Sequence, residues 1–479
     1  MSTVHAFTDD ALGDLDALGV AARIRSGEVS RDEVLEAAIA RVGKVQPELN
    51  AVQVECFERA RNQPPTSGLF AGVPAFVKDN ADVAGVPTCH GSSAFTPHPA
   101  KADSAPARQF LAQGFTLLGK STLCEFGLTA STEYVDRPPT RNPWNTEYSV
   151  GASSGGSGAL VASGAVPIAH ANDGGGSIRI PAAVNGLVGL KVTRSRLLDQ
   201  PGARQLPVNL VSEGVLTRSV RDTAHYLAVA EQHHPEPGLP PVGLVEGPDD
   251  RRMRIGVIRY DVLGHPVHPE TDRILTSAAE TFAGQGHELV ERRLLLDEQF
   301  VEDFTLYWSL FAVLMSASFS MSHGRRFDPR KLDPFTKGLA RKVARGPHRL
   351  PGAIRRLRGG QELYARHFAD VDILLTPTLA HPAPRIGEHS PRQAADALFA
   401  KLVDYVAFTP LANIGGGPAI SLPHGLHTNG LPGSIQLFAP HGDERTLLRL
   451  AYELEAVAPF PRIGSTGHKT ASVVTPENA

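Results

Sequence analysis

Two serine- and glycine-rich segments contain the hydroxyl groups best suited to attack a substrate. The first, residues 151–158 (GASSGGSG), contains the adjacent hydroxyls of Ser153 and Ser154, and the second, residues 173–177 (DGGGS), ends on Ser177. A serine hydroxyl is a weak nucleophile until a neighbouring base accepts its proton. With such a base, these segments predict acyl transfer, in which a serine attacks the carbonyl carbon of an amide or an ester.

The three glycines before Ser177 favour this second segment as the catalytic one. Gly174, Gly175 and Gly176 leave their backbone N–H groups without side chains above them. Such N–H groups can stabilise a developing oxyanion, and the loss of one donor typically costs about 3–4 kcal/mol. A helix predicted to begin near Ile178 would favour negative charge at the same place. The alternative is a simple loop that ends on a capping serine.

Lys78 is the best candidate for the base. None of the 19 histidines has a distinctive context, and His170, inside an apolar run, is typical of a core histidine with satisfied hydrogen bonds. Lys78 follows the apolar residues 73–77 at a predicted strand end. A lysine withdrawn from water loses its proton more easily and can then act as a base. The alternative is a solvated lysine beside Asp79.

Residues 151–158 admit two other interpretations. A phosphate-binding P-loop would need a Gly-Lys-Ser/Thr ending, and this segment has no lysine. The G-x-S-x-G pattern of a nucleophile elbow does match, with Ser153 at its centre. An α/β-hydrolase esterase that uses Ser153 with a downstream aspartate and histidine is therefore an alternative. It predicts that Ser177→Ala keeps activity and that Lys78 is dispensable.

Short strands alternating with helices must position these side chains. Ser30 and Glu33 form a capping-box pattern ahead of apolar residues at helical spacing. The alternation predicts an α/β architecture with a mixed, largely parallel sheet flanked by helices. The other predicted elements are strands at 72–79, 115–119, 165–171 and 254–258, and helices from about 178 and over 272–282.

Three further segments each admit two interpretations. Residues 236–250 are rich in proline and glycine and form either a domain linker or a long surface loop. Residues 309–322 form an apolar run of about 14 residues, too short to span a membrane, so a buried helix is expected. The alternative is a helix that lines an apolar substrate pocket with Trp308, Phe311, Leu314, Met315 and Phe319. Residues 337–358 contain eight lysines and arginines and no acid, as in a solvated helical face or a surface for anionic partners.

The composition excludes several classes of protein. A chain of 479 residues can bury a large core without a metal or a disulfide staple. Its net charge of −3 lacks the basic excess of a nucleic-acid binder. The three cysteines have no C-x-x-C spacing, which suits a reducing cytoplasm and excludes a cysteine-based zinc site. The first residues lack the basic and apolar regions of a signal peptide.

The reactive segments together resemble the amidase signature family. The matching motifs are Lys78 in GVPAFVKDN, Ser153-Ser154 in GASSGGSGA and Ser177 in DGGGSIRIPAA. Residues 140–144, 185–191, 372–378 and 430–436 also resemble family segments, in the family's order. The resemblance implies one amidase domain over 1–479, with an α/β/α fold and a mixed central sheet. Its core would span about 65–235, its variable substrate-side region about 240–370, and its C-terminal return to the core 371–460.

The resemblance also implies a mechanism without any metal or organic cofactor. It is a Ser–cisSer–Lys triad, with Ser177 as nucleophile, Ser153 as bridging hydroxyl after a cis peptide bond, and Lys78 as base. An acyl-enzyme would form and then be hydrolysed by water. The remaining implied site residues are Gly174, Gly175 and Gly176, with the Ser177 N–H, for the oxyanion hole; Ser154, Asp173 and Arg179 for loop support; and Gly127, Leu128 and Thr129 for substrate binding.

The implied partner is a small amide, with no nucleic acid and no integral membrane segment. The form Asn172-Asp173-Gly174 resembles the branch that contains 6-aminohexanoate cyclic-dimer hydrolase, so xenobiotic amides, aminohexanoate oligomers, aryl amides and carbamates are candidate substrates. Alternatives are an esterase or urethanase, a catalytically silent binding protein, and the amidase component of glutamyl-tRNA amidotransferase, although Ile180 stands where that component has glutamine. The expected location is the cytoplasm. Family members are often dimers, so the resemblance makes a homodimer one candidate state, which the sequence itself does not show.

Overall fold

Eleven strands form one mixed sheet through the computed structural model, which describes residues 2–200 and 202–464. Both ends of the predicted 1–479 domain, Met1 and 465–479, lie outside the described residues. The strands are β1 Val52–Glu55, β2 Pro74–Lys78, β3 Thr116–Ser121, β4 Ile168–Asp173, β5 Val188–Lys191, β6 Ser212–Thr217, β7 Arg254–Ile258, β8 Glu288–Arg292, β9 Ile373–Pro377, β10 Ala419–Leu426 and β11 Pro432–Phe438.

Helices flank this sheet. Among the described residues they are α1 Ala17–Ser26, α2 Arg31–Leu49, α3 Phe57–Arg61, α4 Ala105–Leu111, α5 Gly155–Ala162, α6 Arg179–Asn185, α7 Val220–His233, α8 Pro269–Gly284, α9 Glu298–His323, α10 Pro334–Arg345, α11 Leu350–Arg358, α12 Gly360–Arg366, α13 Ala395–Tyr405, α14 Pro410–Gly415 and α15 Glu444–Val457.

The local sequence patterns predicted these elements well. The capping box of α2 is formed, because Ser30 accepts from the Glu33 N–H while the Glu33 side chain accepts from the Ser30 N–H. Strands β2, β3, β4 and β7 and helix α8 lie where the sequence predicts them. Residues 236–250 contain no helix or strand and lie between α7 and β7. The helix expected from about Ile178 is α6, with Ile178 as its N-terminal flanking residue.

The sheet is mixed, as expected, but the expectation that most of its strand pairs are parallel is wrong. The strand order is β1-β3-β2-β4-β6-β5-β10-β11-β9-β7-β8. Only the pairs β2–β3, β2–β4, β7–β8 and β7–β9 are parallel. The other pairs are antiparallel because β10 and β11 form a hairpin and β6 runs back beside β4. Alternation of strands and helices indicates connections between elements, but it does not fix the direction of each strand.

The centre of the sheet positions the predicted site. Strands β2, β4, β5 and β6 are buried along their whole length. Lys78 is the last residue of β2, and Asp173 is the last residue of the parallel neighbour β4. The carboxyl ends of adjacent parallel strands meet at one edge of a sheet, where open α/β sheets bind ligands. The glycine segment follows β4 directly at this edge.

Helix α9 is longer and more exposed than expected. It spans 26 residues, because it begins at Glu298, ahead of the predicted apolar run, and the charged residues Glu302 and Asp303 do not interrupt it. The stretch Glu298–Arg326 is the one helix among the described residues that is long and apolar enough to cross a membrane, with 28% of its most apolar part buried. The expectation of a buried helix over 309–322 is therefore wrong for much of that segment, where Leu314 and Met321 are exposed.

The basic segment 337–358 packs against α9 through helices α10 and α11. It lacks acids of its own, but α9 supplies them. Arg356 pairs with Asp303 at 2.6 Å, and Arg349 pairs with Glu302. Two of the eight basic residues of this segment are therefore paired with α9, and Lys342 pairs with Asp396 of α13 at 3.5 Å.

Candidate active site

Lys78 lies in a fully buried position at the end of β2. Its Nζ is 2.6 Å from Ser153 Oγ and 2.7 Å from Asn172 Oδ1. Burial lowers the pKa of Lys78 to about 8, because the surroundings disfavour the ammonium. The solvated Lys78–Asp79 alternative is absent, since Asp79 instead forms a buried ion pair with Lys120 at 3.0 Å. Lys78 can therefore accept a proton near neutral pH.

Ser153 lies immediately before α5. The Ala152–Ser153 peptide bond is cis, as the resemblance implies. A methyl group added at Gly127 would lie 2.9 Å from Ser153 Oγ, and Gly127 has φ of +74°, so a glycine is required at this close approach. Ser154, the next residue, donates its hydroxyl to the Asn172 carbonyl at 3.3 Å. Ser153 therefore has Lys78 on one side and the loop of Gly127 on the other.

Ser177 lines a cleft and is 7% exposed. Within the described residues, the N–H groups of Gly174, Gly175 and Ser177 have no hydrogen-bond acceptor. The Gly176 N–H differs, because it donates to Asp173 Oδ1 at 2.7 Å. Of the three glycines predicted as oxyanion donors, only Gly174 and Gly175 therefore keep an N–H group without an acceptor, as Ser177 does. Donors of this kind could receive an oxyanion from the cleft.

A buried ion pair holds the loop of Ser177. Asp173 and Arg179 are both fully buried, with Nε of the arginine 2.9 Å from Oδ2. Burial opposes ionisation of Asp173, but the charge and hydrogen bonds of Arg179 outweigh it and keep the Asp173 pKa well below its ordinary value. The C-terminal part of the chain completes the network: Asn413 donates to Asp173 Oδ1 at 2.9 Å, and Gln436 accepts from Arg179 at 2.7 Å.

The cleft in front of Ser177 is open to solvent and, with the solvent space at its mouth, measures about 720 Å³. Gly127, Leu128 and Thr129, predicted to bind substrate, all line it. The Thr129 hydroxyl is occupied, since it donates to the Ser131 carbonyl at 2.8 Å. None of the described residues that line the cleft is charged. Its apolar members are Leu128, Ala130, Ile180, Val262, Phe300, Val301, Phe304, Trp308, Phe399, Leu402, Val403, Val406, Ala407 and Pro410. The cleft therefore suits an uncharged, apolar group.

Trp308 connects helix α9 to the loop that contains Gly127 and Leu128. Its Nε1 donates to the Leu128 carbonyl at 3.1 Å, and its ring lies about a van der Waals contact away from where a side chain on Gly175 would be. The alternative role given to the apolar helix, lining a substrate pocket, is therefore seen for its N-terminal half. Of the α9 side chains named in that prediction, only Trp308 lines the cleft, whereas Phe311, Leu314, Met315 and Phe319 do not.

Sequence reasoning missed the partners behind Lys78. The sequence indicates Asn172 only as part of the form Asn172-Asp173-Gly174, yet its side chain contacts Lys78 directly. Glu213, on β6, accepts from Asn172 Nδ2 at 3.4 Å and lies 3.0 Å from His170 Nε2. His170 is thus a satisfied core histidine, as predicted. No local signal identifies Glu213, although its position opposite Asn172 follows once the β4–β6 pairing is known.

Asp261, His265 and Asp404 are the one group among the described residues that could hold a metal ion. Their ligand atoms lie within 4.8 Å of one another, at positions that are exposed or half-buried. Asp261 already accepts from the Leu263 and His265 N–H groups. Exposed acidic groups commonly cluster without an ion, and none of these three residues lines the cleft.

Comparisons of sequence place the chain among known amidases. The Amidase family model matches residues 33–448. The protein named Putative amidase AmiC from Mycobacterium tuberculosis (strain ATCC 25618 / H37Rv) is 49% identical over 468 residues, covering 97% of this chain and 98% of that protein. The 6-aminohexanoate-cyclic-dimer hydrolase of Paenarthrobacter ureafaciens is 34% identical, covering 93% of this chain and 95% of that protein.

Solved structures show the same fold. The 6-aminohexanoate cyclic dimer hydrolase complexed with substrate matches with a TM-score of 0.86 at 32% identity, covering 94% of this chain and 98% of that chain. A bacterial aryl acylamidase of the amidase signature family matches with a TM-score of 0.79 at 26% identity, covering 93% and 96% of the two chains. The predicted fold, a mixed sheet flanked by helices, is thereby confirmed.

Proposed function

The chain belongs to the amidase family and is a hydrolase of amide carbon–nitrogen bonds, and on this premise we propose that Ser177 is its nucleophile. The observation that carries the proposal is the contact of 2.6 Å between Ser153 Oγ and the fully buried Nζ of Lys78, next to a cleft lined by Ser177. Lys78 is the base in this proposal, and Ser153 relays the proton between the two.

The proposed reaction begins with neutral Lys78. Nζ accepts the proton of Ser153 while Ser153 accepts that of Ser177, and Ser177 Oγ bonds to the amide carbonyl carbon. The carbonyl oxygen becomes an oxyanion, which the N–H groups of Gly174, Gly175 and Ser177 stabilise. When the carbon–nitrogen bond breaks, the proton returns through Ser153 to the leaving nitrogen, because an amine anion is too basic to leave. Water then attacks the acyl-enzyme along the same proton path and releases a carboxylic acid.

We also propose that the substrate carries an uncharged aryl or alkyl group. The cleft offers apolar and aromatic side chains around Ser177, with Phe304 and Trp308 from α9 and Leu402 and Val403 from α13. Transfer of a charged group into such surroundings is costly unless it finds a partner, whereas burial of an apolar group contributes about 25 cal/mol per Å². Aryl amides, alkyl amides, aminohexanoate oligomers and the corresponding carbamates fit this description.

The test is a hydrolysis panel of aryl anilides, primary fatty amides, aminohexanoate oligomers and carbamates. Ser177→Ala is the blank, and Ser163→Ala is the matched control, because Ser163 is a buried serine whose hydroxyl only donates to the Leu160 carbonyl at 3.3 Å. We expect Ser163→Ala to keep activity and Ser177→Ala to lose it. A serine-directed fluorophosphonate should label Ser177. Full activity of Ser177→Ala with labelling at Ser153 would instead support the nucleophile-elbow alternative.

Two further attributes stand as proposals. A reducing, cytoplasmic location is supported by Cys56, Cys89 and Cys124, which are all free, buried thiols. A homodimer follows only from the family resemblance, and sedimentation of the purified protein would determine its oligomeric state.

A further inference from the structure

We propose that Asn172 is a positioning residue that turns the lone pair of neutral Lys78 toward Ser153, an inference that rests on the proposed function. Three oxygens lie around Lys78 Nζ: Ser153 Oγ at 2.6 Å, Asn172 Oδ1 at 2.7 Å and the Asn172 carbonyl oxygen at 3.4 Å. The two oxygens of Asn172 can only accept hydrogen bonds. They therefore select which positions around the nitrogen carry hydrogen.

A neutral amine has two N–H groups and one lone pair. When both N–H groups donate to the oxygens of Asn172, the lone pair is left facing the Ser153 hydroxyl. This is the orientation in which Lys78 can accept a proton from Ser153 rather than donate one to it. A base accepts a proton only when its lone pair faces the donor, whatever the pKa of the base.

The Asn172 amide is itself held in one orientation. Asn80 Nδ2 donates to Asn172 Oδ1 at 3.2 Å, and Asn172 Nδ2 donates to Glu213 Oε1 at 3.4 Å. Rotation of the amide by half a turn would bring its N–H groups against the Asn80 Nδ2 donor and its oxygen against the Glu213 carboxylate. Both contacts would be unfavourable, so the acceptor oxygen is kept toward Lys78.

The sheet builds this arrangement from three neighbouring strands. Asn172 and Glu213 are direct cross-strand partners of β4 and β6, so their side chains lie on the same face. His170 lies two residues before Asn172 on β4 and therefore shares that face. Its Nδ1 accepts from the Lys78 backbone N–H at 3.4 Å, which connects the network back to β2. His170, Asn172 and Glu213 are all buried.

The titratable groups that face Lys78 are Glu213 on β6, Asp173 on β4, and Cys124 after β3, together with His170. Their effect on the Lys78 pKa remains when Asn172 is replaced by an uncharged residue. The Asn172 acceptor favours the ammonium as well as orienting the amine. Its loss should therefore lower the pKa of Lys78 and, separately, lower the rate at which the neutral amine accepts the proton.

The test compares the pH profile of kcat/KM for the wild type, Asn172→Leu and Asn172→Thr. Leucine keeps the size of the side chain without an acceptor, and threonine restores an oxygen. For Asn172→Leu we expect an alkaline plateau at least about tenfold lower, with the acidic limb moved to lower pH. Asn172→Thr should recover most of the plateau and return the limb toward its wild-type position.

Asn145→Leu is the matched control, because Asn145 is also a buried asparagine and its Oδ1 accepts from the Glu147 N–H at 3.1 Å, outside the site. It should leave the profile unchanged, and thermal unfolding should show that every variant is folded. A uniform loss in Asn172→Leu without movement of the limb, or a profile like the wild type's, would overturn the positioning role. Fluorophosphonate labelling of wild-type Ser177 separates the two proposals, because its failure would count against the proposed nucleophile instead.

Discussion

Lys78 is one of three lysines that are buried in the described part of the chain, together with Lys120 and Lys191. Burial also lowers the pKa of Lys191, to about 7, yet its Nζ donates only to the carbonyls of Val192 and Gly417. Lys120 is paired with Asp79. Only Lys78 lies against a serine hydroxyl next to the cleft. Geometry, rather than a lowered pKa, therefore supports Lys78 as the proposed base.

We predict that wild-type kcat/KM rises with pH and levels off above about pH 8. The base must be neutral, and below its pKa the neutral fraction falls about tenfold for each pH unit. The measurement is the pH profile on an uncharged amide, so that the substrate does not titrate. Lys78→Met should be inactive across the whole range while remaining folded. A profile governed by a group with a pKa near that of histidine would contradict the assignment.

The second prediction concerns Gly127, because this residue lies directly against Ser153. Gly127→Ala should abolish most activity, because the added methyl would lie 2.9 Å from Ser153 Oγ. Gly430→Ala is the matched control: Gly430 has φ of +79°, close to the +74° of Gly127, but nothing lies within 4 Å of the added methyl. Both substitutions place a side chain at a similar positive φ. A comparable loss of kcat in Gly430→Ala would therefore show that backbone strain, rather than contact with Ser153, lowers the activity of Gly127→Ala.

Helices α9 and α13 both supply apolar side chains to the lining of the cleft, but some apolar side chains of α13 only pack in the core. Leu402 and Leu398 are both buried leucines of α13, but only Leu402 lines the cleft. A buried leucine that is cut to alanine typically costs about 2–5 kcal/mol of stability in either place. The two positions therefore separate substrate binding from packing on a single helix.

We predict that Leu402→Ala raises KM for aryl or alkyl amides by about tenfold with little change in kcat, because lost apolar contact weakens ground-state and transition-state binding alike. Leu398→Ala should lower the unfolding midpoint and leave KM near that of the wild type. Steady-state kinetics and thermal unfolding check both variants. An equal rise of KM in the two would show that the cleft is not where the apolar group binds.

Distant parts of the chain meet in the network around Arg179. This guanidinium contacts Asp173 at the end of β4, Asn413 in α14 and Gln436 in β11, and it also donates to the Thr409 carbonyl. The Thr409 hydroxyl in turn donates to the Gly175 carbonyl at 2.6 Å. The loop that carries Ser177 is therefore shaped by residues from the C-terminal return of the chain.

We predict that Arg179→Met destabilises the protein by about 3–5 kcal/mol, because it leaves the Asp173 carboxylate buried without its partner. Arg61→Met is the control, since Arg61 pairs with Glu36 at an exposed position and such pairs contribute little. Urea unfolding measures both. A loss for Arg179→Met no larger than that of the control would mean that the pair does not hold the loop.

The sequence by itself predicted the candidate reactive residues and the elements nearest to them. Lys78, Ser153 and Ser177 stand in motifs whose types and order single them out as candidates, and local patterns predicted β2, β4 and the capping box of α2. Each of these motifs, strands and caps is defined by residues close together in the chain, for which the sequence is direct evidence. The same reasoning identified the loop of Gly127 by resemblance alone.

The tertiary structure decided which residues surround Lys78, Ser153 and Ser177. Glu213 reaches Asn172 only because β6 runs antiparallel to β4, and Asn413 and Gln436 reach Arg179 only because β10 and β11 return to the sheet. It also made most of the sheet antiparallel. These outcomes depend on pairings between segments far apart in the chain, and no periodicity or local motif encodes such pairings.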